Sequence, residues 1–292
     1  MNDISNCRSF LYVPCNQQKY MEKIPSTTCD AVIFDLEDSV RLADKKQARK
    51  NLLGFGFEIV RKAREKVFLV RVNAVDSTFA EDDIRAAVSL KADGIVLPKS
   101  TARQVESADT IIQNSVDDGQ DFVIIPLIET ALGVQTIWET VNASPRVKGA
   151  QFGAEDFTRD IQVERTSSGK EIEYARNRMA IACRAKNIAA IDTPFANFKD
   201  PEGLAEDTRN VKSMGMTGKT CIHPSQIDVV NSVFTPSEKE VSRARKIVNC
   251  WENHGSINDG VIVIEGEMVD RPIYQRAKNL LEKYNKKKEN VV

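Results

Sequence analysis

The stretch Phe122-Val123-Ile124-Ile125-Pro126-Leu127-Ile128-Glu129-Thr130 is an apolar run that ends in a carboxylate. A second run, Val147-Lys148-Gly149-Ala150-Gln151-Phe152-Gly153-Ala154-Glu155-Asp156-Phe157, ends the same way. Short runs rich in Val, Ile and Phe read as buried strands. A carboxylate at the end of such a strand is costly unless it is paired or binds a cation. In a parallel α/β barrel that end of the strand is where chemistry sits.

Working outward, six more runs share this character: Ser9–Pro14, Ala31–Asp38, Val67–Asn73, Gly94–Lys99, Ala189–Phe195 and Gly218–Pro224. Charged amphipathic stretches separate them, among them Asp44–Glu65, Glu81–Leu90, Thr101–Ser115, Gly133–Val141, Gly169–Lys186 and Glu202–Met214. Strand and helix alternating through eight repeats predict a closed TIM (β/α)8 barrel, since a doubly wound sheet would leave strands unused. The expected division is a barrel over 1–235 and a C-terminal helical extension over 236–292. In the extension, Thr235 is expected to cap a helix over Pro236–Asn253. A last helix is expected to run to about Lys283, with Lys286-Lys287-Lys288-Glu289 as a solvated tail.

With 41 Lys and Arg against 42 Asp and Glu, the formal net charge is −1. No global positive field is present to hold nucleic acid by its phosphates. The apolar runs fall far short of the ~20 residues that span a bilayer, so no membrane association is expected. The N-terminus lacks a signal-peptide layout, so the cytoplasm or an organelle matrix is the expected location. Six cysteines without a Cys-x-x-Cys motif and only two histidines argue against structural zinc. The same scarcity of histidine, with no Gly-x-Ser-x-Gly, argues against a hydrolase triad.

Glu129 and Asp156 form an oxygen-rich pair suited to Mg²⁺, which takes one or two carboxylates plus water and substrate oxygens. The bland alternative for each is a helix cap or an arginine partner. Arg71 and Asn73 end the third run on one face, where a guanidinium can grip a carboxylate or carbonyl. Asp35, Glu37 and Asp38 end the second run and read as partners of Arg71 or of metal waters, with Asp38 equally suited to a helix cap. Tyr12, Lys19, Lys45 and Lys99 are candidates for a phosphate-bearing cofactor, although no Walker loop or Gly-x-Gly-x-x-Gly follows a strand. No lysine stands clearly inside an apolar strand, which disfavours Schiff-base chemistry.

Several segments resemble the citrate lyase β-subunit-like proteins of the HpcH/HpaI aldolase group. They are Arg8–Pro14, Asp30–Val40, Val70–Asn73, Gly94–Lys99, Ile128–Ala131, Gly153–Phe157, Tyr174–Arg176, Gly215–Pro224 and Gly266–Pro272. The resemblance implies a Mg²⁺-dependent lyase that cleaves a 3-hydroxyacyl-CoA thioester of the citramalyl, malyl or citryl type. The products are acetyl-CoA and a 2-oxo acid. It assigns Glu129 and Asp156 as metal ligands, with Glu129 also touching substrate, and Arg71 as the substrate-binding arginine. Tyr12 and Lys19 look like a thioester-binding pair. Asp270 looks like the acid–base residue, lent by the C-terminal segment of a neighbouring subunit in a homotrimer. Cys15 stands where relatives usually carry Gly, and its side chain is expected to narrow the thioester channel or shift the loop. Two alternatives remain open. One is a citrate lyase β subunit that cleaves citryl-acyl carrier protein to oxaloacetate beside an α subunit, which the segment Glu164–Glu171 resembles. The other is a non-catalytic CoA-ester-binding barrel.

Overall fold

The computed structural model describes residues 3–63, 65–117, 120–254 and 260–289. Eight parallel strands pair in chain order, and the eighth closes on the first. They are β1 (Ser9–Pro14), β2 (Ala31–Asp35), β3 (Val67–Arg71), β4 (Gly94–Leu97), β5 (Val123–Ile128), β6 (Gly149–Phe152), β7 (Ala189–Asp192) and β8 (Gly218–Cys221). The helices around them begin with α1 (Gln18–Met21), α2 (Lys45–Asn51), α3 (Phe57–Lys62), α4 (Ala80–Ser89), α5 (Ala102–Gln113) and α6 (Ala131–Gln135). They continue with α7 (Ile137–Asn142), α8 (Ala154–Asp160), α9 (Lys170–Lys186), α10 (Pro201–Met214) and α11 (Ile227–Phe234). This is the (β/α)8 barrel the eight runs predict.

Alternation along each strand divides the core in two. Phe10, Ile33, Leu69, Val96, Ile125 and Ile191 point inward and fill the barrel. Leu11, Phe34, Val70, Ile95, Ile124 and Ala190 point outward and pack beneath the helices. Burial on both faces is why these strands read as unbroken apolar runs. Each fully buried large aliphatic or aromatic side chain stabilises the fold by about 1.5–3 kcal/mol.

The strands end sooner than the apolar runs. Thr130 leaves the ladder to cap α6, its hydroxyl accepting from Gly133 N at 3.0 Å. The sixth run breaks at Gly153, and α8 begins at Ala154. Asp156 therefore lies in the first turn of a helix, not on a strand end. Acidic side chains there meet the partial positive charge of the helix N-terminus. The predicted helix over Asp44–Glu65 is interrupted by a π-helical turn at Leu52–Gly56; Gly54 and Gly56 weaken the α-helical ladder at that point.

A lysine does stand on a buried strand, contrary to the sequence reading. Lys219 of β8 is wholly buried, and its Nζ donates to Asp192 Oδ2 at 2.5 Å, Asp207 Oδ2 at 2.7 Å and Thr193 O at 2.8 Å. Arg176 of α9 completes the network, donating to both Asp192 oxygens at 2.9 and 3.0 Å. Two cations and two carboxylates balance one another between barrel and helices. Lys219 faces away from the barrel interior and is not poised for Schiff-base chemistry.

The chain divides into two compact units, Met1–Phe234 and Thr235–Val292. The second consists of α12 (Glu238–His254), the antiparallel pair β9 (Val261–Ile264) and β10 (Glu267–Asp270), and α13 (Arg271–Glu289). Ile262, Ile264 and Val269 pack with Ala244, Ile247, Trp251, Ala277 and Leu280. Glu265 and Gly266, with φ of 52° and 83°, turn the hairpin as a two-residue loop that needs positive φ at both positions. The cap of α12 is Ser237, not Thr235. Its N donates to Glu240 Oε2 at 2.7 Å while Glu240 N donates to Ser237 Oγ at 3.2 Å, a reciprocal capping box. The last helix runs on through the predicted tail to Glu289. None of the described helices is long and apolar enough to cross a membrane.

Candidate active site

The C-terminal mouth of the barrel opens on a cavity of about 380 Å³. Tyr12, Asp35, Arg71, Leu127, Glu129, Gln151, Asp156, Thr193 and Ile222 are among its walls, so most strand ends contribute. A wider hollow of about 810 Å³ is lined by Ile4, Phe122, Arg146 and Ile188, at the starts of β5, β6 and β7. That end of a barrel serves stability rather than chemistry, and Arg146 there is tied to Asp109 at 3.1 Å.

Strand register places Arg71 beside Asp35. Arg71 Nε and Nη2 each donate to an Asp35 oxygen at 2.7 Å, a bidentate pair. Its Nη1 faces Glu37 at 3.2 Å and Asp38 at 3.3 Å. The Tyr12 ring lies beneath the guanidinium, 4.8 Å from Cζ. Gln151 Nε2 donates to Tyr12 Oη at 2.7 Å. Burial opposes the Asp35 charge, but the Arg71 guanidinium overrides it and holds that carboxyl below its usual range. For Glu37 burial prevails over Arg71, and with Asp38 and Asp35 nearby the carboxyl is pushed up to about 7. Both sequence readings of Arg71 thus hold together: it is paired, and it lines the mouth.

The loop after β2 is clamped from outside the cavity. Lys45 Nζ donates to Leu36 O at 2.9 Å and Glu37 O at 2.6 Å. Asn73 Nδ2 donates to Leu36 O at 3.0 Å and to Asp83 Oδ2 at 2.6 Å. Lys45 is therefore committed to the backbone and does not serve a phosphate. Asp38 caps no helix; its carboxylate meets Arg71.

Glu129 is buried two residues beyond Leu127, on the same inward face. Its Oε1 accepts from Lys99 N at 2.8 Å, and among the described residues no donor meets Oε2. Burial pushes this carboxyl up to about 8 against the Lys99 N–H, and Asp156 raises it further. Asp156 stands at the cavity wall with Oδ1 paired to the exposed Arg159 at 2.8 Å. Two mutually repelling carboxylates, each with an oxygen uncommitted to a protein donor, fit a small divalent cation that takes its remaining ligands from water and substrate. No cluster of three or more His, Cys, Asp or Glu placed for a metal occurs among the described residues.

The other predicted residues divide. Tyr12 is in the cavity, but Lys19 is exposed on α1 with its Nζ 4.9 Å from the Tyr20 ring, and the structure does not bring the two together. Asp270 ends β10 in the second unit, where its Oδ1 accepts from Ile273 N at 3.0 Å and caps α13. Cys15 does not narrow the channel. It is fully buried in the outer core, on the outward face shared with Leu11 and Val13, and burial holds its thiol well above the usual range. Three wall residues escaped the sequence reading. Gly153 leaves room for Glu129, Gln151 orients Tyr12, and Thr193 Oγ1 accepts from Ala154 N at 3.1 Å to fix the start of α8. Inward alternation on the sixth and seventh runs was the available signal for Gln151 and Thr193.

A barrel with paired carboxylates and a pinned guanidinium at its C-terminal mouth has the layout of an enzyme that handles small oxyanionic substrates. The sequence profile of the HpcH/HpaI aldolase/citrate lyase family matches residues 8–224, and the chain belongs to that family of lyases. It is 36% identical over 290 residues to the citrate lyase subunit beta of Leuconostoc mesenteroides subsp. cremoris, covering 98% of this chain and 95% of that one. It is 32% identical over 290 residues to the mitochondrial citramalyl-CoA lyase of Homo sapiens, covering 93% and 84%. Its fold matches the crystal structure of CitE from Mycobacterium tuberculosis in complex with magnesium, acetoacetate and coenzyme A. There the TM-score is 0.80 at 27% identity, over 97% of this chain and 100% of that one.

Proposed function

We propose that the protein is a Mg²⁺-dependent carbon–carbon lyase that cleaves a 3-hydroxyacyl-CoA thioester into acetyl-CoA and a 2-oxo acid. The observation that carries this reading is the convergence of Arg71, Glu129 and Asp156 on one cavity at the barrel mouth. The 32% identity to a citramalyl-CoA lyase supports the substrate class.

Glu129 and Asp156 would hold the metal, which supplies charge neutralisation for the oxygens of the 2-oxo acid half. Arg71, held by Asp35, presents fixed positive charge to the same oxygens. Loss of the 3-hydroxyl proton drives cleavage of the bond between C2 and C3. The bonding electrons pass to the thioester carbonyl as an enolate, which is then protonated to acetyl-CoA. Asp270, lent by a neighbouring subunit of a homotrimer, is the carboxylate proposed to move that proton. Tyr12 forms the floor beneath Arg71, and Lys19, which does not line the cavity, is proposed to meet the carrier end of the thioester. The proposed site of action is the cytoplasm or an organelle matrix.

Purified protein with Mg²⁺ should release acetyl-CoA from citramalyl-, malyl- or citryl-CoA, and loss of Glu129 or Asp156 to Ala should abolish it. Mixing Asp270→Asn with Glu129→Ala protein should restore activity after subunit exchange; no recovery under proven exchange refutes the shared site. The identity to a citrate lyase subunit beta supports a second reading, in which the carrier is an acyl carrier protein and an α subunit is present. Oxaloacetate release from citryl-acyl carrier protein alone would select it. Turnover of no thioester on either carrier would leave only the binding barrel.

A further inference from the structure

Five residues other than glycine have positive φ among those described: Lys91, Lys99, Gln162, Asn187 and Glu265. Four occupy ordinary places, just after the helices α4, α8 and α9 or in the hairpin turn. Lys99 does not. It follows strand β4 at φ 49°, a left-handed conformation that L side chains rarely adopt. Its N–H donates to Glu129 Oε1 at 2.8 Å, while its side chain is exposed. The turn is held on both sides: Ser100 N donates to Leu127 O at 3.2 Å and Ser100 Oγ to Leu97 O at 2.7 Å. Across the carboxylate, a Cβ on Gly153 would lie 2.8 Å from Oε2, so that oxygen rests against a bare backbone at the cavity wall.

We propose that Lys99 is a positioning residue acting through its backbone: its left-handed turn aims one N–H at Oε1 of Glu129 and thereby presents Oε2 to a divalent cation. This rests on the metal reading given above. It also explains the strained turn: with Ser100 held to Leu97 and Leu127, any other φ at Lys99 must be offset by rotating the peptide between Pro98 and Lys99, which turns the N–H away from Oε1. The lysine side chain has no part in it.

The test is a set of substitutions read by calorimetric titration of the stripped full-length protein with Mg²⁺. Lys99→Gly adopts the turn freely and keeps the N–H, so its Mg²⁺ affinity should stay within about twofold of the parent. Lys99→Val resists positive φ, and Lys99→Pro also removes the donor; both should bind Mg²⁺ roughly 10–100-fold more weakly, the usual effect of losing a partner of a metal ligand. Excess Mg²⁺ should restore turnover to the valine variant, which a general folding lesion would not allow. Equal losses in the glycine and valine variants would assign the effect to the side chain and overturn the proposal, as would parental affinity in Lys99→Val. A parent that takes up no Mg²⁺ overturns the metal reading itself, so the two failures are distinct.

Discussion

Gly153→Ala is the smallest change that tests how Glu129 is held. The added methyl would lie 2.7 Å from Glu129 Cβ, 2.8 Å from its Oε2 and 3.3 Å from Leu127 Cδ1. Gly153 has φ −112°, which alanine adopts without strain, so the effect is steric alone. To reach the ~3.5 Å of ordinary carbon–carbon contact, Glu129 must retreat by about 0.8 Å. It has little room, being buried and tied to Lys99 N. Overpacking of this kind costs about 1–3 kcal/mol of stability, a drop of several degrees in melting temperature that leaves the protein folded at 25 °C. A displacement approaching 1 Å at a reacting centre costs about 100-fold in rate, or ~2.7 kcal/mol of transition-state stabilisation. Acetyl-CoA release measured against Mg²⁺ concentration, beside a thermal melt, separates the two effects. The variant should melt cooperatively a few degrees low and lose about 100-fold in kcat/KM. Parental kcat/KM with an unchanged Mg²⁺ dependence would refute the claim that Glu129 must stand against a bare glycine.

Glu129, pushed up to about 8 from 4.5 by burial, is protonated more readily in the folded chain than in the unfolded one. Its contribution to the stability of the metal-free protein is therefore full below about 4.5 and is lost as pH rises through about 8, and Glu37 adds to the same slope; urea unfolding across that window should show the decline, while Mg²⁺ affinity climbs with pH as the cation displaces the proton. Asp35→Asn breaks a buried bidentate pair and should cost about 3 kcal/mol of stability as well as activity, whereas adding Arg71→Met should recover part of the stability in urea melts but none of the activity. Lys219→Met leaves Asp192 buried beside a single arginine and should lower stability by about 3–5 kcal/mol without changing kcat of the folded fraction; a drop in kcat with unchanged stability would place that lysine in the chemistry after all.

The barrel was legible because burial on both faces forces each parallel strand into an apolar run, and eight such runs admit few other architectures. The inward set was legible for the same reason: alternation from Leu127 to Glu129 and from Leu69 to Arg71 carries straight into the mouth. Legibility stopped where the backbone changes period. Asp156 reads as a strand residue only if the strand passes through Gly153, and nothing in Phe152-Gly153-Ala154 announces that a helix starts there. Cys15 is a different failure: alternation with Leu11 and Val13 carries it into the outer core, while its place just after the first strand suggests the channel. Backbone donors leave no trace in residue type at all. The N–H of Lys99 holds Glu129, yet the sequence offers only a lysine, which invites a reading about its charge. Lys45 invited the same reading, and its ammonium proves to be spent on two carbonyls of the β2 loop. The side chains that touch the cavity were thus easier to find than the groups that aim them. For a metal-assisted lyase the aiming decides more, because a carboxylate with raised proton affinity serves a cation only when its free oxygen is turned the right way.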